Sequence, residues 1–231
     1  MLSADRKLEL DRKAWALRQE IFDKRQQIWG DRLPRGLETS DPQIAAEMLG
    51  FDFQYHDSLD LMLPGVNSRT AGIFCRRRGV ILVAQRFGPL VARFTAAHEV
   101  AHALLHEAEV DPVLHRDLPI SGLEHPAPNA IEREANYFAA CLLMPRKYVA
   151  DQFKGRFPSD GPLILNDAAV HYLRTYSSDA LLHAQPGSLV RERILARATQ
   201  WNNKHFPPLN ELFKVSVETM AIRIEELGLV R

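Results

Sequence analysis

The chain has 231 residues, of which 46% are hydrophobic and 25% charged; that is enough apolar surface for a core of ordinary size, and it excludes disorder over most of the length. Its length fits one elaborated domain or a core with a helical annex. Lys+Arg 29 balance Asp+Glu 29, which argues against a protein that lives by wrapping nucleic acid or coating an anionic membrane. No run reaches the roughly 18 consecutive apolar residues of a membrane span. The opening MLSADRKLELDRK carries charge where a secretory signal has its apolar stretch, so a cytoplasmic location is expected. Cys75 and Cys141 form no C-x-x-C pair and read as buried thiols, neither a disulfide framework nor a cysteine zinc site.

In chain order, Leu10, Ala14, Leu17, Ile21 and Ile28 recur at three- and four-residue spacing, which predicts an amphipathic helix from about Leu8 to Ile28. Trp15 and Trp29 are expected to pack onto the body of the same chain, a partner-binding surface being the alternative. A linker, GDRLPRG, follows. Asp41-Pro42 before QIAAEML, with Gly50 behind it, predicts a short helix with an N-cap, a proline at its first position and a glycine stop. FDFQYH, AGIFCRR and VILVAQ are rich in β-branched and aromatic residues and predict a small antiparallel sheet, with a turn near Arg78-Gly79. Helices are expected at Phe94 to about Glu107 and at Ala130 to Met144, separated by a polar loop over about 108–129. Beyond Phe157-Pro158 the pattern is helical, and no internal repeat or low-complexity tract is visible. The expected division is 1–38 for the N-terminal helix and linker, 39–156 for the core, and 157–231 for a helical region that ends in a helix-turn-helix-like pair.

The residues that carry chemistry are His98-Glu99-Val100-Ala101-His102, set in the helix-forming run RFTAAHEVAHALLH. Side chains four apart share one face of a helix, so His98 and His102 can each offer an imidazole to a single ion. Glu99 flanks that ion, where a water would sit, and is the expected general base. The bare five-residue string can arise by chance, so its context decides. A catalytic zinc wants a third protein ligand and leaves its fourth position to water. His106 fails as that ligand, because eight residues of helix span about 12 Å from His98. The three-histidine variant of the motif is excluded by Leu105 and Ala108, which stand where it needs glycine and histidine.

IEREANYFAACLLMP is apolar almost all round from Ala135 onward, yet it carries Glu132 and Asn136 one turn apart on the stripe of Ala139. A carboxylate on such a face is tolerable if it holds a cation. Glu132 is therefore the expected third ligand, with Asn136 hydrogen-bonding a ligand histidine. Glu134, about 200° away around the helix, is the weaker choice. Loop residues Asp111, His115, Asp117, Glu124 and His125 remain as alternatives, and His106, His115, His125 and Tyr137 are unassigned candidates for an oxyanion partner.

FTAAHEVAHALLH followed by IEREANYFAACLLMP resembles the ImmA/IrrE family of metallopeptidases, and the likeness extends to AGIF and VILVAQ, over about residues 40 to 155. The closing LFKVSVETMAIRIEELGLV, with Ser216 as an N-cap, is also similar to the end of many members. The resemblance implies an α+β, zincin-like fold: a small antiparallel sheet packed on the H-E-x-x-H helix and a second ligand-bearing helix, with helical extensions at both ends. It further implies one Zn2+ per chain, peptide-bond hydrolysis, and a helix-turn-helix repressor as substrate, with roles in stress response and transcription regulation. VILVAQ is a candidate edge strand for an extended peptide. No direct nucleic-acid or membrane partner is expected: the second helix of the final pair, where a recognition helix would lie, carries one basic residue, Arg223, beside Glu218, Glu225 and Glu226. The rival class is a metal-stabilised binding module that contacts a repressor or antitoxin without cutting it.

Overall fold

The computed structural model describes residues 2–60, 62, 66–106, 113–117, 129–174 and 178–231. They form two compact units, Met1–Leu143 and Met144–Arg231. The first takes in the N-terminal helix together with the sheet; the second starts at Met144, so the helix after Pro145, grouped with the core in the sequence reading, falls in it.

In the first unit, α1 (Ala4–Asp23) is capped by the Ser3 side chain, which accepts from the backbone N–H of Arg6. Its buried face is Leu10, Ala14, Leu17 and Ile21, as the spacing requires. The expected single helix is broken near Lys24, and a short α2 (Arg25–Trp29) follows. Trp15 does not pack on the body of the chain: it is 62% exposed, because it lies off the stripe that the buried residues define. Trp29 is partly buried, with the Arg32 guanidinium 5.8 Å from its ring centre. Asp41 caps α3 (Pro42–Met48) through the N–H groups of Gln43 and Ile44, with Pro42 in the first turn.

The sheet is built from β1 (Asp52–His56), β2 (Thr70–Cys75), β3 (Val80–Ala84) and β4 (Val113–Asp117), in the order β1-β3-β2-β4. Three of its features correct the sequence reading. The sheet is mixed, because β1 runs parallel to β3 while β2 is antiparallel to both β3 and β4. β2 and β3 form the expected hairpin, with Gly79 in a left-handed conformation at its turn. The chain from β1 crosses to β2 before β3 returns between them, and this reverses the sense expected of β1. The VILVAQ strand β3 is interior, paired on both sides, so it offers no edge to a peptide. A fourth strand, β4, lies inside the expected loop. Its run VLHRD is short and polar, as suits an edge strand, and lacks the apolar alternation that marks a strand in sequence.

α4 (Pro89–Leu105) and α5 (Ala130–Leu143) complete the unit. α4 begins at Pro89, five residues before its expected start, since proline suits the first helical position. Ile73, Leu82 and Ala84 pack with Leu59 on one side of the sheet. Cys75 and Cys141 are both buried thiols.

The second unit comprises α6 (Arg146–Arg156), α7 (Asp167–Leu173), α8 (Ser178–Leu182), α9 (Val190–Ala196), a two-stranded ribbon of β5 (Gln200–Trp201) and β6 (Lys204–His205), α10 (Leu209–Phe213) and α11 (Val217–Glu226). Phe153, Phe157 and Trp201 form an aromatic core, and Leu163 bridges to Val230 near the chain end. Ser216 caps α11 as expected. Arg223 is 0% exposed and donates from Nε to the Met144 carbonyl at 3.1 Å and from Nη1 to Glu226 at 3.2 Å. The one basic side chain of this helix is thus turned inward. Among the described residues, no helix is long and apolar enough to cross a membrane.

Candidate metal centre

α4 carries the H-E-x-x-H segment, and small side chains decide where it lies. Ala92, Ala96, Ala97, Ala101 and Ala103 are all buried, which lets the helix approach both the sheet and α5 closely. His98, Glu99 and His102 are buried with them. Three polar side chains in such surroundings need partners. α5 supplies them. Asn129 caps this helix by accepting from the Glu132 backbone N–H at 2.8 Å, which sets Glu132 in its first turn and Asn136 one turn on.

His98 Nε2 and His102 Nε2 lie 3.0 Å apart. The Glu132 carboxylate closes the group, with Oε2 3.2 Å from His98 Nε2 and Oε1 3.3 Å from His102 Nε2. His98 Nδ1 is 3.1 Å from Asn136 Oδ1. An amide oxygen only accepts, so His98 carries its proton on Nδ1 and turns a lone pair on Nε2 toward the group. Electron-pair donors crowded in this way repel one another unless a cation sits among them. Their separations also match the edge of about 3.3 Å expected for a tetrahedral ion with bonds of about 2.0–2.1 Å. His98, His102 and Glu132 therefore fit a divalent metal. Burial presses the Glu132 carboxyl toward its neutral form; where a proton takes the cation's place on the His102 or His98 Nε2, the resulting hydrogen bonds and charge outweigh burial and hold the carboxyl well below the usual range.

Glu99 lies under β2 at Gly72. A Cβ added to Gly72 would land on Glu99 Oε1 and come within 2.5 Å of Thr95 Cγ2. The strand passes so close only because residue 72 has no side chain. An irregularity in the pairing of β2 with β4, between Thr70 and Gly72, adjoins the same point. At the other end of the segment, Arg76 closes the last turn of α4: its Nη2 donates to the Ala103 carbonyl at 2.7 Å and, more weakly, to that of His102 at 3.5 Å.

The structure thus brings His98, His102 and Glu132 to one point, sets Glu99 beside them in sequence, and places Asn136 against His98. His106 is not in the donor group but stands behind it, its Nδ1 3.0 Å from His102 Nδ1. Glu134 points away from the donors, toward Arg6 of α1, which binds it through Nε at 2.9 Å and Nη2 at 2.5 Å; this hydrogen bonding keeps the Glu134 carboxyl below its ordinary range. Tyr137 is buried, with the Lys7 ammonium 5.3 Å from its ring centre. His115 and Asp117 fall on the backbone of β4. Asp111, Glu124 and His125 lie outside the described residues. Sequence reasoning missed Gly72, Arg76 and the place of His106. An isolated glycine in a strand run was the available signal for the first, and the i+4 spacing from His102 for the last.

A His-His-Glu set shared by two helices beside a mixed sheet, its histidines buried, defines an α+β protein with a group that could hold a metal ion. Residues 53–172 match the model of the peptidase M78 family, described as the IrrE N-terminal-like domain, and the chain belongs to that family. The family points to a metallopeptidase role. The matched span runs from β1 into α7, beginning and ending later than the resemblance read from sequence. No curated protein and no solved structure matches the chain significantly.

Proposed function

We propose that this chain is a zinc-dependent endopeptidase of zincin-like design, acting in the cytoplasm on a helix-turn-helix transcriptional repressor or a similar regulatory protein. The observation that carries the peptidase reading is the convergence of His98 Nε2, His102 Nε2 and the Glu132 carboxylate within 3.0–3.3 Å of one another, with Glu99 next in the chain to His98. Two imidazoles and one carboxylate are the donors of a catalytic zinc site that leaves a position open. When bound, zinc supplies Lewis acidity, polarising a scissile carbonyl and lowering the pKa of water toward about 7.

The rest is the work of the chain's own groups. Asn136 Oδ1 holds the His98 Nδ1 proton and so keeps Nε2 available. The Glu99 carboxylate takes a proton from the attacking water and delivers it to the departing amine nitrogen. Gly72 leaves Glu99 the space it occupies. The choice of a repressor as substrate rests on the family resemblance rather than on the geometry.

The test is to inspect the neighbouring reading frame for a small helix-turn-helix repressor and to digest that protein with the parent chain and with Glu99→Gln. The variant is expected to keep its fold and metal content and to cut about 10²–10⁴-fold more slowly, the span typical of a lost general base. Unchanged function in Glu99→Gln would favour the binding module, and cleavage of unrelated proteins at the same rate would remove the repressor from the reading.

A further inference from the structure

The donor nitrogens of the two histidines are held from behind in different ways. His98 is held by an amide on the metal-bearing helix itself, whereas behind His102 a file of side chains leads out of the site to the N-terminal helix. His102 Nδ1 lies 3.0 Å from His106 Nδ1. His106 Nε2 lies 3.6 Å from Glu134 Oε2. Glu134 in turn is gripped by the Arg6 fork, at 2.9 Å and 2.5 Å.

The proton positions along this file follow from one requirement. If His102 is to present a lone pair on Nε2, a neutral ring must carry its hydrogen on Nδ1. That N–H donates, so His106 Nδ1 accepts and His106 carries its own hydrogen on Nε2. His106 Nε2–H then faces the Glu134 carboxylate across 3.6 Å, an electrostatic contact longer than a hydrogen bond, with a carboxylate that Arg6 fixes in place through two parallel N–H groups. The reverse order of protons would turn a hydrogen on His102 Nε2 toward the donor group and set a lone pair of His106 against a carboxylate. We infer that Arg6, Glu134 and His106 are positioning residues of the metal centre, and that through them the N-terminal helix fixes the tautomer and the ring orientation of His102.

This inference rests on the metal-binding reading above and extends it to a part of the chain outside residues 53–172. α1 is firmly seated, with Leu10, Ala14, Leu17 and Ile21 buried, so Arg6 is delivered to Glu134 by a packed element. Glu132 and Glu134, two residues apart on α5, serve opposite ends of the arrangement: one as a donor, the other as the anchor of the file behind the facing helix.

The experiment is a titration of the full-length metal-free chain with Zn2+ against a competing chelator, and with Co2+, whose visible spectrum reports the ligand set. His106→Ala is expected to bind Zn2+ about 10–100-fold more weakly than the parent, the usual effect of losing an outer partner of a ligand histidine, and Glu134→Gln and Arg6→Ala to bind it more weakly than the parent by smaller factors, in that order. The Co2+ spectrum should keep its tetrahedral form. Arg6→Ala combined with His106→Ala should cost scarcely more than His106→Ala alone, since both cut one file. Lys7→Ala removes another side chain that α1 lays on α5, over Tyr137, without touching the file, and is expected to bind metal like the parent. Parent-like affinity in Arg6→Ala and Glu134→Gln, or an equal loss in Lys7→Ala, would overturn the inference and leave an ordinary helix–helix ion pair. A parent chain that binds neither metal would overturn the metal reading itself and this inference with it.

Discussion

At Gly72 the lack of a side chain is what lets β2 lie over Glu99, so Gly72→Ala tests the site without touching any donor. The added methyl would meet Glu99 Oε1 and Thr95 Cγ2, both belonging to α4. Either the strand or the carboxylate must shift. We expect a stability loss of about 1–3 kcal/mol, the usual cost of overpacking, together with slower peptide cleavage and unchanged Zn2+ affinity. Denaturant unfolding and metal titration check the two halves, and parent-like turnover would mean that Glu99 has room to step aside. At this scale the sequence was most readable where chemistry is contiguous. His98, Glu99 and His102 sit in one five-residue string, and Glu132 stands out as a carboxylate on an apolar face. Gly72 was absorbed into a strand run, and Arg6 finds Glu134 across 128 residues, a pairing that no local pattern announces. Distance from His98 excludes His106 as a ligand, and that argument carries no sign of its contact with His102.

Among the elements, the helices were more readable than the sheet. The stripe of α1, the Asp41-Pro42 start of α3 and the Ser216 cap of α11 are local features whose physics lies within a few residues. Strand pairing is decided elsewhere: β1 joins β3 in parallel, and polar β4 joins the edge, through contacts that are distant in sequence. Arg76 shows how the elements are tied together. It comes directly after β2, lays its guanidinium 5.0 Å from the Phe74 ring centre and 5.7 Å from that of Phe51, and donates to the end of α4. Arg76→Met keeps the apolar stem and drops the charged donors. The change is expected to destabilise the fold by about 1.5–3 kcal/mol, the range for a hydrogen bond to a charged group. It should also weaken Zn2+ binding, since the carbonyls it caps belong to His102 and Ala103. Thermal unfolding of the metal-free chain separates the first effect from the second, and a variant as stable as the parent would reduce Arg76 to a surface contact.

For the whole molecule, charge balance and length limit the possible classes without identifying one, and the division at Leu143/Met144 is not legible in the sequence because it follows no change in composition. Zn2+ should stabilise the native chain by mass action, by about 2.7 kcal/mol when the free ion stands at a hundred times its dissociation constant. The midpoint of thermal unfolding is therefore expected to rise with added Zn2+ and to fall back with chelator; a midpoint indifferent to both would count against the donor group. His102 and Glu132 are about 30 residues apart along the chain, so an ion they share would act as a crosslink. Treated like a disulfide closing a loop of that length, it would withdraw about 3–4 kcal/mol of conformational freedom from the denatured ensemble. Stripping the metal would then unfasten the architecture as well as silence the chemistry, and a chelator alone would conflate the two losses. Glu99→Gln spares the fastening, which makes it the cleaner instrument for asking whether this protein cuts.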